Sequence, residues 1–223
     1  TLLIACAKSA SEPEAETTPR YLYVASGACY AGGVTPSASS STLVAYNLST
    51  GQAVGVVADF NAFSPGDAPI GMAKYDASRL LVAIENTGGR RIDLVALNAF
   101  NSVATYITNA TALSGILRAF HLLPDGGILV SKSTAIEKFS SGKSRITQGA
   151  NPYINAPAGS CATSTTLISA VQTLSNGKIV FAHAAATPNN KIVITAAAGY
   201  AAAPDCLAAQ AGPTTTALPT AIV

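Results

Sequence analysis

Short apolar runs separated by tight-turn residues recur along this chain about every fifty residues, and that period with strand rather than helix alternation leaves few folds open. The clearest copy runs from Ile70 to Tyr75, through Asp76 to Arg79, into Leu80 to Ile84, then through Asn86 to Arg91 into Ile92 to Leu97. Three short strands with turns between them make an antiparallel meander. Setting the run after each turn side by side gives Leu22-Tyr23-Val24-Ala25, Leu80-Leu81-Val82-Ala83, Ile128-Leu129-Val130-Ser131 and Ile179-Val180-Phe181-Ala182, with start-to-start spacings of 58, 48 and 51 residues. A second column follows: Leu43 to Asn47, Leu94 to Asn98, Ala135 to Ser140 and Ile192 to Ala196. Pro124-Asp125-Gly126-Gly127 and Ser175-Asn176-Gly177-Lys178 carry the residues that hairpin turns require, and Asn47 to Gly51 does the same between the last two strands of the first repeat.

Four short strands per fifty residues is the spacing of β-propeller blades. The chain therefore reads as all-β, with about four blades of four-stranded antiparallel sheet near 20–60, 68–108, 115–148 and 165–210. The first repeat, from Arg20, begins at its second strand, so its inner strand has to come from elsewhere. Residues 214–223 resemble an inner strand, with Pro219 aligned to Pro69, and either close a four-bladed ring or open a further blade. Two longer connections, Ser26 to Thr42 and Asn151 to Ser164, are rich in small residues and read as surface decoration or binding loops.

Only 11% of the residues are Asp, Glu, Lys or Arg against 49% apolar, which gives an ample core and a neutral, hydroxyl-rich surface. The thirteen cations form no block that would track a phosphate backbone, so nucleic acid is not an expected partner. No run of eighteen apolar residues spans a bilayer. Ala7 to Pro19 is rich in Ser, Glu, Pro, Ala and Thr without apolar period and reads as a flexible tether, reaching roughly 40 Å when extended.

Ahead of that tether, Leu3-Ile4-Ala5-Cys6 resembles the lipobox of bacterial lipoproteins. The resemblance implies that residues 1–5 are the remnant of a signal peptide, that Cys6 carries the lipid and that 6–19 hold the domain 20–223 off the membrane. Ala7 stands where enteric lipoproteins retained in the inner membrane carry aspartate, which implies the outer membrane of a bacterial envelope. In the body, Tyr21-Leu22-Tyr23-Val24, Leu43-Val44-Ala45-Tyr46-Asn47 with Thr50-Gly51, and Ala68-Pro69-Ile70-Gly71 resemble the YVTN and lactonase-like propellers. That family has seven blades, so the resemblance implies that these repeats are part of a larger ring.

Chemistry is sparse. With Cys6 lipidated, Cys161 and Cys206 flank the fourth repeat and are expected to form a disulfide closing a loop of about 45 residues, on the order of 4 kcal/mol in the chain-entropy picture, which leaves Cys29 over. The cysteine spacing lacks the Cys-x-x-Cys of zinc or redox sites. Arg118 and His121 share an inner strand and are the weak candidates for a central channel, while His183 follows a strand end. Asp59, Asp67, Glu85, Asp93, Glu137 and Asp205 are scattered without a shared offset, and neither lactonase motif can be assembled from them. No catalytic, metal or cofactor site is expected. The sequence reads as an envelope-anchored binding or scaffold module with a protein or glycan partner, the alternative being a lactonase-like or other propeller hydrolase whose active residues lie partly outside these 223 residues.

Overall fold

The computed structural model describes residues 20–26, 41–86, 89–108, 113, 117–132, 135–147, 153–154, 167–184, 191–194 and 210–211. Four separate antiparallel sheets result, each built from strands consecutive in the chain. The first holds β1 (Tyr21–Ser26), β2 (Thr42–Asn47) and β3 (Ala53–Asp59). A single 3-10 turn at Phe60–Ala62, capped by the Asp59 carboxylate on the Asn61 N–H, leads to the second: β4 (Ala68–Lys74), β5 (Arg79–Glu85), β6 (Arg91–Ala96) and β7 (Val103–Ile107). The third comprises β8 (Leu117–Leu122), β9 (Ile128–Lys132), β10 (Ala135–Phe139) and β11 (Arg145–Ile146). The fourth comprises β12 (Leu167–Thr173), β13 (Ile179–Ala184), β14 (Lys191–Ile194) and β15 (Gln210–Ala211). Among the described residues the first sheet has three strands and the others four, in step with the repeat alignment.

The turns form where side chains can hold the backbone. Asp125 accepts from the Gly127 N–H at 2.8 Å and Asn176 from the Lys178 N–H at 3.1 Å, while Gly126 and Gly177 adopt φ of 81° and 77°. That left-handed backbone is open to glycine and strained for most other residues. Between β4 and β5 the same closure is made without glycine: Asp76 accepts from Ser78 N–H at 2.9 Å.

Strands β5 and β9 read as unbroken aliphatic runs because both of their faces are covered. Leu80, Val82 and Ile84 point to the first sheet, where they join Leu43, Val57, Ala58 and Phe60 in one core cluster. Leu81 and Ala83, on the opposite face, meet Ile128, Val130 and Phe139 of the third sheet. Leu129 and Ile136 then face Ile168, Val171, Ile179 and Phe181 of the fourth. Each fully buried Leu, Ile or Phe in these layers contributes roughly 1.5–3 kcal/mol. The first strands of the second, third and fourth sheets run beside one another, β4 against β8 and β8 against β12. β4 and β8 lie close at Gly71, where a Cβ would sit 3.1 Å from Phe120 Cδ1.

This order of sheets is loosely propeller-like, but the expectation of a propeller ring, of four blades or as part of a larger one, with a disulfide clamp is corrected. Among the described residues the core clusters join the first sheet to the second, the second to the third and the third to the fourth, and none joins the fourth back to the first. No disulfide pairing is found among the described residues; the expected Cys161–Cys206 bridge, like Cys6, Cys29 and residues 214–223, lies outside them. What holds the sheets together where it can be seen is apolar layering and a small number of polar links.

Candidate functional site

Four carboxylates are buried among the described residues, Asp67, Glu85, Asp93 and Glu137, and each is held by a cation or an amide. Asp67 pairs with the Arg91 guanidinium and takes a bond from the Asn86 side-chain amide. Asp93 faces Arg91 Nε at 2.9 Å. Glu137 sits between Lys132 Nζ at 2.7 Å and Arg145 Nε at 2.8 Å. Glu85 reaches across a sheet boundary: one oxygen accepts from Arg90 Nε at 2.7 Å and the other from the backbone N–H of Leu117, the first residue of β8, at 2.8 Å. Burial pushes the Glu85 carboxyl above its ordinary range, opposed by the Leu117 N–H and Arg90. Burial likewise raises Asp93, opposed by Arg91. These groups lock strand ends and neighbouring sheets.

Asp93 and Glu137 are equivalent, although the sequence shows no common offset for them. Asp93 lies opposite Val82 and Glu137 opposite Val130, and Val82 and Val130 occupy the same place in their repeats. In the first sheet that place belongs to Val44, opposite Val24, and in the fourth to Val193, opposite Phe181.

The two channel candidates are not brought together. His121 shares its face of β8 with Ala119, which packs toward the fourth sheet, and its Nε2 lies 2.9 Å from Thr173 Oγ1 of β12. Burial lowers its pKa. Arg118 lies nearer the start of β8, where its charge acts on Glu85 of the second sheet. One residue therefore links the third sheet to the fourth and the other serves the boundary with the second. His183 pairs through its backbone with Ile168. Among the described residues no group of three His, Cys, Asp or Glu is placed to hold a metal ion, and no helix is long and apolar enough to cross a membrane.

An open groove of about 380 Å³ lies where the first sheet meets the second. Tyr21 and Tyr23 project from alternate positions of β1, their rings 6.4 Å apart and tilted by 50°. Val54 and Gly55 of β3 form one wall, and Asn98 and Phe100, in the turn after β6, form the other. Phe100 is 68% exposed and Tyr21 42%. Among the described residues no Asp, Glu, Lys or Arg lines the groove. Burial, with Tyr21 beside it, raises the Tyr23 phenol above its ordinary value. The turn is anchored by Asn101, which stands at φ 54°, accepts from Asp59 N–H at 2.6 Å and donates its own N–H to Val57 O at 2.9 Å. A second depression of about 330 Å³ lies between the turns of the third and fourth sheets, where Lys138 Nζ sits 4.9 Å from the Tyr153 ring centroid. The aromatic groove was not among the sequence-based candidates; the available signal was Tyr21-x-Tyr23, two tyrosines on one face of a strand in a chain with 6% aromatic residues.

No protein-family model matches the chain, and no curated protein matches it. Twelve solved chains match. One is a crystal structure, at 1.35 Å resolution, of a protein of unknown function from Bacteroides caccae, 13% identical with a TM-score of 0.46. The match covers 82% of this chain and 56% of that one, so the chain spans a little over half the length of that structure.

Proposed function

We propose that this chain is a non-catalytic binding module of the bacterial cell envelope, held to the outer membrane by a lipid on Cys6 and the segment 7–19, and that it engages a neutral glycan strand in the groove between its first two sheets. The observation that carries the reading is the groove itself: open, without charged side chains among the described residues, and lined by two tyrosines and an exposed phenylalanine beside an asparagine amide. Aromatic faces carry partial negative charge that complements the polarised C–H faces of sugar rings, and the phenols and amide supply donors and acceptors for hydroxyls. The volume falls within the usual range for ligand clefts. The buried carboxylates support a module that binds without turning over, because each is committed to holding strands together.

An array of neutral oligosaccharides, followed by titration of the best ligand, tests the groove. Phe100→Ala and Tyr21→Ala each remove a stacking surface worth roughly 1 kcal/mol beyond its area, so each should weaken binding by on the order of tenfold. Glycan binding that survives both substitutions, binding of a protein alone at this groove, or hydrolysis of the bound ligand would each overturn the reading. Mass spectrometry of the native amino terminus tests the anchor, and an unmodified Cys6 removes it.

A further inference from the structure

Two hairpins of this chain close through the same turn with a different residue at one position. Between β8 and β9, Leu123 N–H donates to Gly127 O at 2.7 Å and Gly126 N–H to Leu123 O at 2.9 Å. Between β12 and β13, Leu174 N–H donates to Lys178 O at 2.8 Å and Gly177 N–H to Leu174 O at 2.9 Å. Both are three-residue loops closed by a glycine in the left-handed region. The residue before that glycine accepts, through its side-chain oxygen, the N–H two places further on; it is Asp125 in the first turn and Asn176 in the second. Asn176 is the only asparagine followed by glycine in the sequence.

That dipeptide has a chemistry of its own. The glycine nitrogen, giving up its proton to water, attacks the side-chain amide carbon of the asparagine before it. A carbon–nitrogen bond forms, the side-chain nitrogen leaves as ammonia, and a five-membered imide remains. Water then opens the imide at one carbonyl or the other, leaving either aspartate in an ordinary chain or isoaspartate, whose main chain runs through the former side chain. Glycine favours ring closure because it has no Cβ to crowd the nitrogen. The folded turn opposes it: the Gly177 N–H is committed to Leu174 O, and Lys178 N–H holds the Asn176 amide oxygen at 3.1 Å. Attack therefore waits on local opening of the hairpin end.

We propose that Asn176 is a site of intramolecular deamidation gated by the β12–β13 turn, with water as the co-reactant, and that its two products act differently on the hairpin. Aspartate makes the turn that Asp125 already makes, with the same acceptor in the same place. Isoaspartate adds one carbon to the main chain of the loop, and loop length fixes the register of the strands it joins. The pairs Val171–Phe181 and Thr173–Ile179 lose that register, and with it Val171, Ile179 and Phe181 lose their placement against the third sheet. The site thus records opening of the hairpin irreversibly, as a new negative charge. It is independent of the glycan groove.

The full chain, incubated in mildly alkaline buffer with and without denaturing guanidinium chloride, is sampled over days, digested and mapped by mass spectrometry, with the aspartate and isoaspartate peptides separated by chromatography. Both products should appear at Asn176 in the unfolded chain, and at least about tenfold more slowly in the folded one. Asn176→Asp should unfold at the parent's urea midpoint, whereas the isoaspartate fraction isolated from aged protein should unfold at a lower one. No conversion of Asn176 in the unfolded chain, or equal rates folded and unfolded, overturns the gated site. An Asn176→Asp midpoint below the parent's, or an isoaspartate fraction that unfolds with the parent, overturns the roles given to the two products.

Discussion

Glu85 is the residue whose removal tests how neighbouring sheets are joined. Its side chain is 2% exposed and divides its oxygens between Arg90, 20% exposed, and the Leu117 N–H at the start of the next sheet. Glu85→Ala leaves that buried amide without an acceptor, at about 1–3 kcal/mol, and removes one buried methylene at roughly 0.8 kcal/mol. Arg90 can turn to water and adds little. The sum is about 2–4 kcal/mol after partial relaxation, which at a urea slope of roughly 2–3 kcal/mol/M lowers the unfolding midpoint by about 1 M. Glu85→Gln keeps an acceptor for Leu117 and loses only the charge on Arg90, so it should cost about 1 kcal/mol. Equilibrium urea unfolding of the three proteins decides the matter. A Glu85→Ala loss below about 0.5 kcal/mol, or equal losses for Ala and Gln, refutes the assignment of the energy to the amide. The pH dependence has a definite sign. Burial raises the carboxyl in the folded chain above its value of 4.5 in the open chain, so the folded state binds the proton more tightly. The contribution of this group to stability is complete below 4.5 and is lost as pH rises through the folded value. Glu85→Gln should flatten that decline.

His121 carries the opposite sign. Its folded pKa lies below 6.5 because it is buried against Thr173, so stability is full above 6.5 and falls as pH drops toward the folded value. The parent's melting temperature should fall through this group between pH 7.5 and 5.5, and His121→Gln should remove that part of the fall. Gly127→Ala places a Cβ 2.8 Å from Phe139 O, within the β9–β10 pair, and should cost about 1–3 kcal/mol by urea unfolding despite an ordinary backbone angle. Asn101→Ala loses both the bond to Asp59 N–H and the tolerance of a left-handed backbone, whereas Asn101→Gly loses only the bond. The alanine variant should therefore be the less stable by roughly 1 kcal/mol in the same assay, and equality of the two would show that φ is relaxed.

The repeat was legible because strands covered on both faces leave an uninterrupted aliphatic signature, and Leu80–Ile84 and Ile128–Val130 carry it. The short first sheet was legible for the same reason, since Arg20 is followed at once by the strand that elsewhere comes second. The polar links were not. Val82 and Asp93 are eleven residues apart and Val130 and Glu137 seven, because the turn after β5 is longer than the turn after β9, and this hides their equivalence from any fixed spacing. The second column was misaligned for the same cause: the ladders place Leu43, Ile92, Ile136 and Ile192 together, opposite Ala25, Ala83, Ser131 and Ala182, so Leu94 stands two places off and Ala135 one. Only the two-residue slip preserves which face a side chain takes.

His121 and Arg118 were grouped for sharing a strand, yet successive strand residues serve opposite faces, and in a stack of sheets opposite faces mean different neighbours. The groove was hidden for the converse reason, since Tyr21 and Phe100 meet only once two sheets have packed. Glu85 joins the second sheet to the third through the Leu117 N–H, Asp67 and Arg91 tie strand ends within the second sheet, and Asp93 and Glu137 bring paired carboxylates into β6 and β10. The groove, by contrast, is lined by Tyr21, Tyr23 and Phe100. β1, the first strand described, is also the strand that carries Tyr21 and Tyr23 into the groove.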